Sequence, residues 1–276
     1  MDNDKVVAGV VTFNPAIDRL RDCVESILKQ VDIIYVVDNA STNIAQIEDL
    51  FNDYSQNIVL LKNGNNKGIA TALSQIMDYA EKHNYSWVLT MDQDSIIRPN
   101  TIKAYIKAIE ENSNAGMITC LIKDRNFSDQ KYEKQAERYK EVNYCITSAA
   151  FTNVSAYKQT SGYDESFFID CVDFDICYSL KEKGYKIYRV NHLGLLHEVG
   201  HGENRRFLWK TIVVYHEKPR RIYYLSRNTK RLYKKHIEYS MLMLVKKELA
   251  LFTRIILYED EKRNKLKCFF KGLHDA

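Results

Sequence analysis

The sequence predicts an α/β protein: a mostly parallel sheet flanked by helices, with a helical extension at its C-terminal end. Three observations predict it. Short apolar runs alternate with segments of helical spacing over residues 6–90, each of those runs leads into Asn or Asp, and residues 201–276 combine positive charge with helical periodicity.

Residues 6–13 (VVAGVVTF) are apolar throughout and short, as a strand buried on both faces must be, and Asn14-Pro15 ends the run. Over 16–30, Ile17, Leu20, Val24, Ile27 and Leu28 fall at helical spacing. A second strand, 33–37, stops at Asp38-Asn39 and is followed by a helix-like stretch. The third, 58–61, runs into Asn63-Gly64-Asn65-Asn66-Lys67-Gly68, after which 69–82 has helical periodicity. The fourth, 86–90, leads into Met91-Asp92-Gln93-Asp94-Ser95. Parallel strands joined by helices bring their carboxyl ends to one edge, where ligands of open α/β sheets bind. Every polar cluster so far falls at that edge.

Asp92 and Asp94 carry the most chemistry. Acids two apart at a strand end direct both carboxylates into one small volume, where their repulsion is costly unless a hard divalent cation lies between them. A diphosphate is the natural client of such an ion. The alternative is an ordinary solvated turn, since Asp and Ser favour turns and Pro99 lies just beyond. The first strand leads into TFNP and not GxGxxG, which argues against a dinucleotide-dependent oxidoreductase.

At 276 residues the chain is long enough for one large core. Its six cysteines form no CxxC pair, so they are read as buried thiols in a reducing compartment, with neither a zinc knuckle nor a disulfide framework. With no N-terminal signal pattern, cytoplasmic retention is expected. The net charge of +4 conceals an asymmetry: 21 Lys and Arg against 28 Asp and Glu over 1–200, but 19 against 8 over 201–276, net −7 and +11. The basic segment places Ile237, Met241, Leu244, Val245, Leu249, Phe252, Ile255 and Ile256 at helical spacing. Lys246, Lys247, Glu248 and Arg254 interrupt it before a membrane-spanning length. Three readings remain: a helical hairpin packed on the main domain and available for oligomer contacts, an amphipathic element on anionic lipid, or a nucleic-acid surface. Tyr223, Tyr224 and Tyr233 lie in no base-stacking motif, which argues against the last.

TFNP at 12–15, VVDNAS at 36–41, NNKGIATA at 65–72 and TMDQDS at 90–95 resemble successive signatures of the family 2 inverting glycosyltransferases with the GT-A fold. GYDESFFIDCVDFDIC at 162–177, LLHEVG at 195–200 and RRIYYLSRN at 220–228 resemble the rhamnosyltransferase branch. The resemblance spans residues 6–230 and implies a catalytic domain over 1–215 (nucleotide-binding half 1–98, acceptor half 99–215) followed by a basic extension over 216–276.

It also implies roles. Asp94 would contact a Mn2+ or Mg2+ ion that counters the charge of the leaving diphosphate, and Asp92 would hold the ribose or a metal-bound water. Asp173 aligns with the base that deprotonates the acceptor hydroxyl, Asp175 with a second acid, and Asp170 is a nearby competitor. Relatives carry a Glu-Asp pair here, and this chain has Val172 in the Glu position. A helix starting near Cys171 would put Asp173 in its first turn, where the positive end favours the ionised carboxylate; the plainer alternative is that these acids cap and solvate that helix. His197 would return to the metal or diphosphate; its plain alternative is a lone structural histidine. His197-Glu198-Val199-Gly200-His201 also spells HExxH, but zincin chemistry needs that pattern on a helix, and Gly200 and Gly202 weaken one. Asp38 would accept from N3-H of a uracil or thymine, with Thr12 and Asn14 lining its pocket. Asn65, Lys67 and Gly68 would offer a helix N-terminus to anionic groups, where Asn would also serve as an ordinary helix cap. Arg227 would reach the diphosphate; its plain alternative is a surface arginine on a basic helix.

The expected activity is transfer of L-rhamnose from dTDP-L-rhamnose to a bacterial surface polysaccharide or its lipid-linked precursor, at the inner face of the plasma membrane. The alternatives are a UDP-sugar donor (galactofuranose, glucose, N-acetylhexosamine) and a non-catalytic nucleotide-sugar-binding relative.

Overall fold

The computed structural model describes residues 6–125, 137–198, 203–207 and 210–276. Its first part is the expected alternation: β1 (Val6–Thr12), α1 (Ile17–Leu28), β2 (Ile34–Asp38), α2 (Ile44–Asn52), β3 (Ile58–Lys62), α3 (Ile69–Lys82) and β4 (Trp87–Asp92). There follow β5 (Ile96–Ile97), α4 (Thr101–Glu111), β6 (Ala115–Asp124), β7 (Tyr139–Val142), β8 (Ala150–Asn153), α5 (Val154–Lys158), α6 (Val172–Glu182) and the long β9 (Lys186–His197). A hairpin of β10 (Glu203–Phe207) and β11 (Lys210–Val214) leads to α7 (Pro219–Lys235), α8 (Met241–Tyr258) and α9 (Lys262–Asp275).

The main sheet has the order β3-β2-β1-β4-β8-β6-β9-β5, with β7 also on β9. β1 to β4 are mutually parallel, as are β6 and β9; β5, β7 and β8 run antiparallel to their neighbours. The fourth strand continues past Thr90 to Asp92, so Asp92 belongs to the ladder and Asp94 lies beyond it.

Each face of the sheet buries its own apolar layer. Leu20, Val24 and Ile27 of α1, Ile47 and Phe51 of α2 and Tyr105 of α4 cover one. Leu73 and Ile76 of α3 and Val172 and Ile176 of α6 cover the other, joined by Leu232 of α7 and Leu244 of α8. Val172, the departure from the Glu-Asp pattern, is therefore a core residue. Its burial at the helix start replaces a carboxylate that would need a partner there.

From Pro219 onward the basic segment folds as three helices, not a two-helix hairpin. Pro219 stands in the first turn of α7, where a missing N–H costs nothing, and Ser240 Oγ caps α8 by accepting from Met243 N at 3.3 Å. Ile222, Leu251, Ile255 and Phe269 join the three helices in a small core of their own. At the α7–α9 crossing, Gly272 is needed for close approach: a Cβ there would lie 2.1 Å from Ser226 Oγ. No helix among the described residues is long and apolar enough to cross a membrane. Cys23, Cys120, Cys145 and Cys177 are buried, Cys171 and Cys268 half-buried, and all six are free thiols.

Candidate active site

A cleft of about 660 Å³ opens at the carboxyl edge of β1, β2 and β4, lined in part by Phe13, Asn39, Gly68, Asp92, Asp94 and His197. Beneath it the strand ends are bonded to one another. Thr12 Oγ1 donates to Asp38 Oδ1 at 2.8 Å, as does Ser41 Oγ at 2.5 Å, and Ser41 N donates to Oδ2 at 2.8 Å. Asp38 is 1% exposed and Thr12 fully enclosed. Asn14, in left-handed conformation (φ 48°), accepts at Oδ1 from Thr42 N and Oγ1, both at 2.8 Å. These three predicted residues thus build the cleft's support, and the lining they support is exposed Phe13 and buried Asn39, whose Nδ2 donates to Gly68 O at 3.0 Å.

The start of α3 also differs from expectation. Asn65 and Lys67 are exposed and do not line the cleft; Asn66 and Gly68 do. Gly68 N donates to Asn66 Oδ1 at 2.9 Å and Ile69 N to Phe168 O at 2.8 Å, so the first amides are engaged by the chain itself. Gly68 (φ 88°) is required, since a Cβ would lie 2.5 Å from Phe168 O.

Asp92 ends β4, and Ser148 Oγ accepts from its amide at 3.2 Å. Burial pushes its carboxyl above the usual carboxylate range; His197 opposes that and the Asp94 charge adds to it. The pairing of β5 with the end of β9 delivers His197 to this edge, with Nδ1 2.8 Å from Ser95 Oγ and 3.7 Å from Asp92 Oδ2. Two neighbouring carboxylates and an imidazole are donors that would fit a Mg2+ or Mn2+ ion and supply counter-charge there. They do not form a closed three-ligand cage. The compact His/Asp/Glu group among the described residues is His216, Glu259 and Asp260. There the buried Lys265 already supplies the cation, bonded to Glu259 at 2.7 Å and to Asp260. His201, the second histidine of HExxH, lies outside the described residues, and His197 ends an extended strand, not a helical face.

Next to the cleft, Asp170 and Cys171 both adopt φ 66°, consecutive left-handed residues without glycine, each costing on the order of 1–3 kcal/mol. Helix α7 holds this turn. Asn228 Nδ2 donates to Ile169 O at 2.7 Å and Asp170 O at 3.0 Å, while the Arg221 guanidinium donates to the Asp170 carboxylate at 3.2–3.4 Å. Arg227 donates to Ser166 O at 2.6 Å and lies over the Tyr224 ring, 4.9 Å from its centroid. Arg227 therefore ties down the loop and does not line the cleft; the arginines that do are Arg221 and Arg254.

The turn delivers Asp173 to the first turn of α6, where its Oδ1 accepts from Phe174 N at 2.9 Å. Burial nevertheless dominates over the helix end and pushes the Asp173 carboxyl up to about 6, with the Asp170 and Asp92 charges adding to the rise. Asp175 belongs to a different structure. It is 1% exposed and pairs with His236 at 2.7 Å and Lys235 at 2.9 Å, while the other His236 nitrogen meets Glu182 at 2.8 Å.

An open sheet with parallel strand ends, paired acids at the cleft and a separate helix-borne carboxylate defines the GT-A glycosyltransferase fold, and solved structures agree. Residues 1–349 of S. aureus TarS match with a TM-score of 0.65 at 16% identity, covering 98% of this chain and 81% of that one. The mannosyltransferase PcManGT from Pyrobaculum calidifontis, solved with GDP-Man and Mn2+, matches at 0.64 and 17%, covering 99% and 74%. The family model for glycosyl transferase family 2 matches residues 8–169, and the chain belongs to that family. Among curated proteins, the dTDP-rhamnosyl transferase RfbF of Shigella flexneri is 24% identical over 212 residues, 72% of this chain and 70% of that protein. The rhamnosyltransferase WbbL of Escherichia coli (strain K12) is 23% identical over 172 residues, 53% and 64%.

Proposed function

We propose that this glycosyltransferase moves L-rhamnose from dTDP-L-rhamnose, with inversion, to a hydroxyl of a surface polysaccharide or its lipid-linked precursor. The observation that carries the reading is the Asp92–Asp94–His197 cluster at the cleft, with the half-buried Asp173 carboxyl at the start of α6 near enough for the Asp92 charge to bear on it. Asp173 takes the acceptor proton as the acceptor oxygen bonds to the anomeric carbon, and the donor diphosphate leaves with the electron pair of the broken bond. A carboxyl titrating near 6 is largely ionised at neutral pH yet still a useful proton acceptor. Asp94 and His197 would hold a Mn2+ or Mg2+ ion, which supplies counter-charge for the diphosphate. Arg221 and Arg254 add positive charge to the same cleft. Rhamnose as the sugar is supported by the two curated relatives.

A lipid-linked acceptor would be met at an anionic leaflet, and the outer face of α8 and α9 suits that surface. Leu242, Val245 and Leu249 are 51–61% exposed, Phe270 of α9 is 57% exposed, and the exposed Lys246, Lys267 and Lys271 stand on the same two helices.

A thermal-shift panel of nucleotide sugars with Mn2+ tests the donor. A ligand at a hundred times its Kd adds about 2.7 kcal/mol of stability, and dTDP-L-rhamnose should give the largest shift. A larger shift with a UDP-sugar reassigns the donor. Absence of any shift, together with absence of donor hydrolysis, makes the chain a non-catalytic relative.

A further inference from the structure

No side chain among the described residues bonds the Asp173 carboxyl, whose Oδ1 accepts from its own helix at Phe174 N. Where that carboxyl points therefore follows from how α6 is turned about its axis. Residues two apart on a helix project about 200° from each other, so Asp175 leaves α6 on the side away from Asp173. That is the side on which the helix is anchored.

The anchor is one buried ionic cluster. His236, the residue that ends α7, is 1% exposed; its Nε2 lies 2.7 Å from Asp175 Oδ1 and its Nδ1 2.8 Å from Glu182 Oε1. Asp175 and Glu182 are seven residues apart, close to two helical turns, so a single imidazole grips one face of α6 near both of its ends. Ionised carboxylates only accept, so both ring nitrogens donate and the ring is an imidazolium. Burial works against that charge, but the bonds to Asp175 and Glu182 outweigh it and hold the His236 pKa above the usual histidine value. Lys235 adds a second cation: its Nζ donates to Asp175 Oδ2 at 2.9 Å and to Asp164 Oδ2 at 3.1 Å. Asp164 Oδ1 in turn accepts from Ser166 N at 3.0 Å, in the loop that leads to the strained turn. Asp175 N donates to Cys171 O at 2.9 Å, so the turn is bonded to the very residue that the cluster holds.

A buried ion pair stabilises a fold poorly, because desolvation of both charges offsets their attraction, yet each partner is strongly penalised if the other moves away. Such a cluster therefore suits the fixing of one arrangement. None of its five members lines the cleft, so they act on the site only through the elements they hold. We propose that His236 is a positioning residue for the transfer reaction: by gripping Asp175 and Glu182 it fixes the rotation of α6, and with it the direction of the Asp173 carboxylate. The inference rests on the transferase reading with Asp173 as base. It gives the second acid of that motif a task on the far side of the helix, performed through a histidine 61 residues along the chain.

The test uses the full-length protein with dTDP-L-rhamnose, Mn2+ and water as acceptor, so that turnover is read as donor hydrolysis. His236→Ala should lower kcat about tenfold or more, while dTDP affinity stays within about twofold of wild type and calorimetry still finds one dTDP per chain. The acidic limb of its kcat profile should move down from about 6 by roughly half a pH unit or more, because a loosened α6 admits water to Asp173 and relaxes the desolvation that raises it. A merely structural defect would lower the active fraction alike at every pH and reduce the dTDP stoichiometry. His236→Gln keeps one donor for Asp175; it should lose less than the alanine variant, and it supplies the same readouts if that variant folds poorly. Adding His236→Ala to Asp173→Asn should cost little beyond Asp173→Asn alone, since a positioning residue has nothing to position once the base is gone. Additive losses in that double variant overturn the proposal and leave the transferase reading standing, as do wild-type turnover and an unmoved limb in His236→Ala and His236→Gln. A wild type that neither binds dTDP nor hydrolyses donor removes the transferase reading itself.

Discussion

Around the cleft, the side chains that close β1 and β2 bond to each other across adjacent strands, Thr12 to Asp38 and Asn14 to Thr42, so the parallel register is enough to set them. Around Asp173 there is no such ladder. The turn before α6 is left-handed at two successive residues and is held by Arg221 and Asn228, the latter 59 residues along the chain from the Ile169 carbonyl it binds. One half of the site is thus a product of sheet geometry, and the other of side-chain clamps from the C-terminal helices. The two should fail differently: damage to the first should show in nucleotide and metal binding, damage to the second in turnover.

The largest effect is expected at Asp94. Asp94→Ala should abolish transfer and remove Mn2+-dependent dTDP binding, whereas Asp92→Asn should weaken metal binding less; retained metal-dependent affinity in Asp94→Ala would sink the assignment. Next comes Asp173→Asn, for which turnover should fall roughly a hundredfold or more while dTDP affinity survives. Wild-type turnover should decline as pH falls through about 6, as the base is protonated. The same group also sets a stability trend. Its folded pKa lies above the ordinary 3.8, so its favourable contribution is full below about pH 4 and lost as pH rises through about 6. Asp173→Asn should therefore be more stable than wild type at pH 7, by on the order of 1–3 kcal/mol, and the gap should close near pH 4. If Asp170→Asn carries the turnover defect instead, the base has been misassigned.

The clamp is tested by Asn228→Ala, which leaves the Ile169 and Asp170 carbonyls without that partner. Turnover should drop roughly ten- to a hundredfold through misplacement of Asp173, with dTDP affinity intact; intact turnover would erase the contrast between the two regions. The smallest effect concerns the α8–α9 face. The protein should co-sediment with phosphatidylglycerol vesicles at low salt, much less at high salt, and poorly with phosphatidylcholine vesicles. Reversing Lys246 and Lys267 should cost about 1 kcal/mol of binding each. Failure to bind at low salt, with a dimer in sedimentation analysis, would assign this face to a second copy.

The sequence was informative where periodicity and strand ends coincide. β1 to β4 were expected within about two residues, α3 was placed at its observed bounds, and the strand-end clusters did fall at one edge. Past β4 the sequence reading places neither the ten-residue β6 nor the β10–β11 hairpin, and β5, β7 and β8, at two to four residues, are too short for a period to register. Side-chain direction was the other loss. RRIYYLSRN marks α7, but Arg221 and Arg227 lie on different faces of that helix, and only the packed turn shows which one reaches the cleft. Likewise, VVDNAS does not reveal that, of two buried neighbours, Asn39 and not Asp38 lines the cleft. Glu248 is readable in principle: in the sequence it interrupts an apolar run, but its spacing from Leu244 and Leu251 puts it on the stripe that becomes buried.

The clamp on the turn at Asp170 and Cys171 also has a temporal side. As the chain leaves the ribosome, Asp92 and Asp94 are made early, at the end of a strand whose partner β1 already precedes it. The turn that presents Asp173 gains its restraints only after Asn228 has emerged, and α7 itself packs against Gly272 near the end of α9. On the proposed reading, competence for turnover would therefore be acquired last, and a chain shortened before Asn228 would lack the restraints on the turn that presents Asp173.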